Sequence, residues 1–211
     1  MIDRPAFSSS WSTAWASLGL AAPETLMDDL LARYAEPQRH YHTLQHLGEC
    51  LAAFERERPV ALHPGEVALA LWFHDAIYDL GAHDNEARSA DWARDALRQA
   101  GASAEVAGRA HALVMATRHD AVPVDTDAQL LVDIDLSILG APEPRFAEYE
   151  QQIRAEYAFV PREVFEPRRR AILGAFLARD PLYLTTGIRT RHEADARRNL
   201  QRAIGSMWSA G

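Results

Sequence analysis

Apolar residues recur along this 211-residue chain at helical spacing, and strand-type alternation between turn pairs is nearly absent. Breakers interrupt the pattern at Pro23, Pro37, Pro59, Pro64, Gly81, Gly101, Pro123, Gly140, Pro142, Pro161 and Pro181. The stretches between them predict helices near 7–19, 24–35, 42–57, 65–78, 85–100, 103–118, 127–139, 143–158, 162–179 and 190–207. Asp84 is placed to cap the helix at 85–100, with Glu86 in its first turn and Gly101 just past its end. Thr126 and Gln129 have the spacing of a capping box opening the helix at 127–139, which Gly140 would close. The basic run Arg168–Arg170, with Glu163 and Glu166 nearby, reads as a solvated helix face. The pattern predicts an all-α fold and one domain spanning 1–211.

One segment breaks the amphipathic rule. Val67 to Phe73 is apolar at every position, which marks a helix buried on all sides. The segment WFHDAIYD, residues 72–79, then sets His74 beside Asp75. A buried carboxylate is costly unless its charge is compensated. A cation compensates it directly, and a neutral imidazole supplies a second ligand. Read alone, the pair fits equally well as an exposed His–Asp at a helix end. Asp79 lies four residues beyond Asp75, one turn along a continuing helix, and is a candidate general base.

Two further segments carry the same chemistry. In YHTLQH, residues 41–46, His42 and His46 are four apart and share a face if helical. Such a pair can bind one ion, or one ring can bind it while the other meets substrate. In LLVDIDLSILG, residues 130–140, the helical wheel puts Asp135 among Ala128, Leu131, Val132, Ile138 and Leu139. It puts Asp133 beside Gln129 and Ser137, on the polar side. Asp135 is therefore the candidate ligand, and Asp133 is assigned to support or surface.

Composition narrows the function classes. The formal net charge of −8 disfavours a nucleic-acid polymer as partner. Cys50 is the single cysteine, which rules out an internal disulfide and a cysteine-based zinc site. The segment MIDRPAFSSSW lacks the pattern of a signal peptide, and the run Val67–Phe73 is far too short to span a membrane. A cytoplasmic enzyme is the expectation.

The order His46, then His74–Asp75, then Asp135, each on its own helix, resembles the HD-domain superfamily of metal-dependent phosphohydrolases. The resemblance covers about residues 40–140. The segments WFHDAIYD, DNEARSA, DIDLSILG and IRAEY are similar to a small bacterial branch of that superfamily, whose extra helices follow the core. YHTLQH, HD and DLS are also distantly similar to cyclic-nucleotide phosphodiesterases. That likeness implies His46 as ligand, His42 as the acid that protonates the leaving oxygen, and Asp135 as ligand.

The resemblance implies an HD-type helical bundle with extra C-terminal helices. Its implied reaction is hydrolysis of a small phosphorylated metabolite, a nucleotide being the favoured case, by water that a metal activates. Histidine–carboxylate ligands suit Mn, Fe, Co, Ni or Zn, with Mg also allowed. Chemistry and resemblance together leave one ion as the expectation and a second open, with His111 and His119 as its candidate residues. Arg39 and Arg118, the arginines nearest the motifs, and His119 are the candidate substrate contacts. Two alternatives stay open. One is hydrolysis of a non-phosphate bond on the same ligands, and the other is a metal-retaining regulatory or binding protein without turnover.

Overall fold

A computed structural model describes residues 4–206. Among these residues there are ten α-helices, three short 3-10 turns and no strand, so the fold is all-α as the pattern predicts. The end of the last predicted helix, at 207, lies outside the described residues. The chain divides into two compact units, Met1–Ile134 and Asp135–Gly211.

The first unit carries α1 (Arg4–Ala16), α2 (Glu24–Tyr34), α3 (Leu44–Glu57), α4 (Pro64–Phe73), α5 (Asn85–Gln99), α6 (Ala104–Met115) and nearly all of α7 (Thr126–Asp135). α4 is its axis. Pro64 starts it at a position that needs no N–H donor, and every residue from Gly65 to Phe73 is buried. α1, α3, α5 and α6 all pack against it. At Gly65 an added Cβ would lie 2.9 Å from the Ala14 carbonyl oxygen, so glycine permits the close approach of α1. Trp72 is fully buried, with Phe7 and Trp11 edge-on to its ring at 5.6 and 5.0 Å. Each such aromatic contributes about 1.5–3 kcal/mol by leaving water.

Polar ties pin the same helix. Glu66, 2% exposed, accepts two hydrogen bonds from Arg109 of α6, at 2.7 and 2.6 Å. The Asp127 carboxylate of α7 takes the backbone N–H groups of Leu62 and His63 at 2.7 and 2.9 Å, and the His63 Nδ1 at 2.9 Å. His63, which has no motif partner in the sequence, is thus held by Asp127.

The second unit carries a 3-10 turn (Leu136–Gly140), α8 (Glu143–Glu156), α9 (Arg162–Leu177) and α10 (Thr186–Ser206). α10 packs on the turn and on α9, and α8 packs on the turn. Asn199 donates to the carbonyls of Leu139 and Ala141, both at 2.9 Å, and Tyr183 donates to that of Leu136 at 3.0 Å. Gly140 is required here, because a Cβ would fall 2.5 Å from that of His192. Arg169 corrects the solvated reading of the basic run. It is buried, pairs with Glu150 and lies over the Tyr149 ring.

Several predicted helix ends also change. α1 runs from Arg4 to Ala16 rather than 7–19, α3 begins at Leu44 rather than 42, α4 stops at Phe73 rather than 78, α6 stops at Met115 rather than 118, α7 stops at Asp135 rather than 139, and α10 begins at Thr186 rather than 190. Asp84 stands at the start of α5, but its side chain makes no capping hydrogen bond. The capping box at Thr126 does not form. Asp125 instead accepts from the N–H groups of Asp127 and Ala128, while the Gln129 side chain donates to the Pro123 carbonyl. No helix among the described residues is long and apolar enough to cross a membrane.

Candidate metal centre

α3 supplies the first donor. The Thr43 hydroxyl caps it by accepting from the Gln45 N–H, which starts the helix just in time to put His46 in its first turn. His46 is 2% exposed. Tyr41 lies against its ring, 4.7 Å between centroids.

The end of α4 supplies the next two. His74 follows the last residue of α4 and is 1% exposed. Its Nδ1 lies 2.7 Å from the Leu71 carbonyl oxygen, which can only accept, so Nδ1 carries the proton. This bond satisfies a carbonyl at the helix end and turns Nε2 toward Asp75, to which it donates while protonated and beside which its lone pair is freed once that proton is lost. Asp75 comes next, with its backbone N–H held by the Tyr34 hydroxyl at 3.2 Å. That hydroxyl also donates to the Trp72 carbonyl at 3.2 Å. Burial, and then the Asp75 charge, push the Tyr34 ionisation well above its usual range, so it remains a donor.

These donors converge. His46 Nε2 lies 3.1 Å from His74 Nε2, His74 Nε2 lies 3.0 Å from an Asp75 carboxylate oxygen, and His46 Nε2 lies 3.5 Å from that same oxygen. An ion bonded at about 2.0–2.2 Å to nitrogen and oxygen holds neighbouring donors roughly 2.8–3.6 Å apart at octahedral or tetrahedral angles. The three edges fit that requirement. Burial alone would raise the Asp75 pKa. Charge on His74, His42 and His46, with the hydrogen bond from His74, outweighs burial and holds the carboxyl well below its usual range. Asp75 is thus an anion, and a cation can take over the charge compensation that protonated His74 gives it.

Asp135 is the last residue of α7. One ligand atom each from His46, Cys50, His74 and Asp135 lie within 4.8 Å of one another, and this group can hold a metal ion. Neither Asp75 nor Asp133 is in that group: Asp75 meets His46 and His74 through the contacts above, and Asp133 is buried rather than on a polar face. α7 is buried on nearly all sides, from Leu130 to Ile134, so its wheel has no solvent side at that position.

Cys50 is the donor that residue counting misses. It is 2% exposed, and its Sγ lies 3.7 Å from Nδ1 and 3.8 Å from Nε2 of His46. Its signal in the sequence is register, since Cys50 stands four residues after His46 on the same helix.

The other predicted residues are placed differently. His42 precedes α3 and stacks on Tyr78 with centroids 4.1 Å apart, and its ring lies 5.9 Å from that of His46. Asp79 is exposed in the loop after α4, where its carboxylate accepts from the Gly81 N–H at 2.9 Å. Because α4 has ended, the one-turn spacing from Asp75 no longer applies. Asp79 instead lines a surface cavity of about 440 Å³ with Arg33, Glu36, Tyr78 and Arg88, and none of the clustered donors lines it. Arg39 is buried; its Nε donates to the Glu36 carboxylate at 3.1 Å and the rest of its guanidinium goes to the backbone. It donates to the carbonyls of Asp75, Ala76 and His42 at 2.5, 3.1 and 3.3 Å. Arg118 is exposed and faces Asp120 at 3.4 Å. His119 follows a 3-10 turn in a left-handed conformation, with φ 56°. His111 of α6 faces Asp91 at 3.4 Å. Among the described residues, neither His111 nor His119 belongs to the metal-competent group.

Comparison with protein-family models, with curated proteins and with solved structures finds no match.

Proposed function

We propose that the chain is a metal-dependent phosphohydrolase of the HD type, acting on a small phosphorylated metabolite, with a nucleotide as the favoured substrate. The observation that carries the reading is the triangle of donors from His46, His74 and Asp75, with edges of 3.0–3.5 Å. The ordered motifs that resemble the HD superfamily support the phosphoryl chemistry. In this reading His46, His74, Asp75 and Asp135 hold one divalent ion. When bound, such an ion polarises a phosphoryl oxygen and draws charge from the phosphorus.

The remaining residues position and move protons. His74 is kept in one tautomer by Leu71, so its lone pair is aimed without a search over ring orientations. His42, held by stacking on Tyr78 beside the cluster, delivers a proton from an imidazole nitrogen to the leaving oxygen. Arg39 contributes by fixing the turns that carry His42 and Asp75.

The test is phosphate release by metal-reconstituted protein against a panel of nucleotides and generic phosphoesters. Release with at least one ion is expected. No release with any of Mn, Fe, Co, Ni, Zn or Mg overturns the reading. The second reading, a metal-retaining binding protein without turnover, draws support from Asp79, whose carboxylate is engaged at Gly81 rather than in the cluster.

A further inference from the structure

We propose that Cys50 is a thiolate ligand of this centre, so that its ion is zinc or another thiophilic divalent ion rather than magnesium or manganese. The inference rests on the metal-centre reading and deepens it by naming the class of ion.

Two observations carry it. The first is the triangle of His46, His74 and Asp75, which fits a common ion before Cys50 is considered. The second is distance. An ion about 2.3 Å from sulfur and about 2.0–2.1 Å from nitrogen holds the two roughly 3.1–3.6 Å apart at ordinary bond angles. Cys50 Sγ lies 3.8 Å from His46 Nε2, within a few tenths of that range, and within 4.8 Å of ligand atoms from His74 and Asp135.

The chemical consequence follows from ligand softness. Thiolate sulfur favours zinc, cobalt and ferrous iron, whereas magnesium, calcium and manganese favour oxygen. As the sulfur–metal bond forms, the S–H proton passes to solvent. Cys50, His46 and His74 would then present a mixed sulfur–nitrogen face, with carboxylate oxygen completing it.

Cobalt(II) loaded into the full-length protein tests this directly. A thiolate-to-cobalt charge-transfer band in the near ultraviolet is expected, alongside the visible bands of the bound ion. In Cys50→Ser and Cys50→Ala the charge-transfer band should vanish while cobalt still binds. Zinc affinity should fall by at least about tenfold, the lower bound when even an outer partner of a ligand is removed. Manganese affinity should change far less. Cobalt bound to the unaltered protein without the charge-transfer band overturns the Cys50 proposal and leaves the histidine–aspartate centre standing. Failure of cobalt, zinc and manganese alike to bind overturns both. Because the decisive spectrum is that of the unaltered protein, a variant that fails to fold does not rescue the idea.

Discussion

His46 and His74 approach with their Nε2 atoms 3.1 Å apart, from two helices 28 residues apart in the chain. With the His74 proton engaged at the Leu71 carbonyl, this contact places an imidazole lone pair against a second ring nitrogen. A proton or a metal ion between the rings resolves that opposition. Replacing His74 or Asp75 by alanine should therefore abolish metal uptake, read as metal content per chain after reconstitution. Retention of a full equivalent of metal by His74→Ala would show that the ion is held elsewhere.

His42 separates binding from proton transfer. It stacks on Tyr78 outside the triangle. His42→Ala should keep its metal and lose about 10²–10⁴-fold in kcat, the usual contribution of a positioned acid. An emptied site in that variant would make His42 a ligand instead.

Acid should strip the metal. Each imidazole nitrogen and the thiol take up a proton in place of the ion, so affinity falls as pH falls. Metal content after dialysis over a pH series should drop on the acid side and be restored by neutral buffer with added ion. A metal content that rises on acidification would contradict ligation by these groups.

Asp79 offers a negative control for the site. Its carboxylate lies in a loop turn and lines a cavity apart from the clustered donors. Asp79→Asn should bind metal within about twofold of the unaltered protein, a change of less than about 0.5 kcal/mol. A loss of tenfold or more, roughly 1.4 kcal/mol, would place Asp79 at the ion after all.

Arg39 should matter for stability. Arg39→Met would leave the carbonyls of His42, Asp75 and Ala76 without this donor, at a cost of about 1–3 kcal/mol for each buried group left unsatisfied. Urea unfolding of the metal-free protein should show a loss of at least about 2 kcal/mol. No loss would mean that solvent replaces the guanidinium at little cost.

Much of the first unit is legible in the pattern of residues. The unbroken run from Val67 to Phe73 announces a helix buried on every side, and α4 is that helix. The wheel misplaces Asp133, which is buried, because α7 has little solvent side. The end of α4 is not legible. No glycine or proline stands between Phe73 and Gly81 to mark it. The stop is tertiary, because side chains from elsewhere take the backbone donors. Tyr34 takes the N–H of Asp75, Ser89 that of Ile77 and Asn85 that of Asp79. Cys50 escapes for a different reason. A tally of one cysteine excludes a cysteine-rich site, but says nothing about a single sulfur one turn beyond a histidine.

Arg39 joins the turn before α3 to the turn after α4 through main-chain carbonyls, with its Nε held by Glu36. Carbonyl oxygens are common to all residues, so these bonds do not depend on whether His42 or Asp75 keeps its side chain. The frame can therefore outlast changes in its donors. Descendants of this chain can trade one ligand for another, or one ion for another, without first rebuilding the brace that holds the turns together.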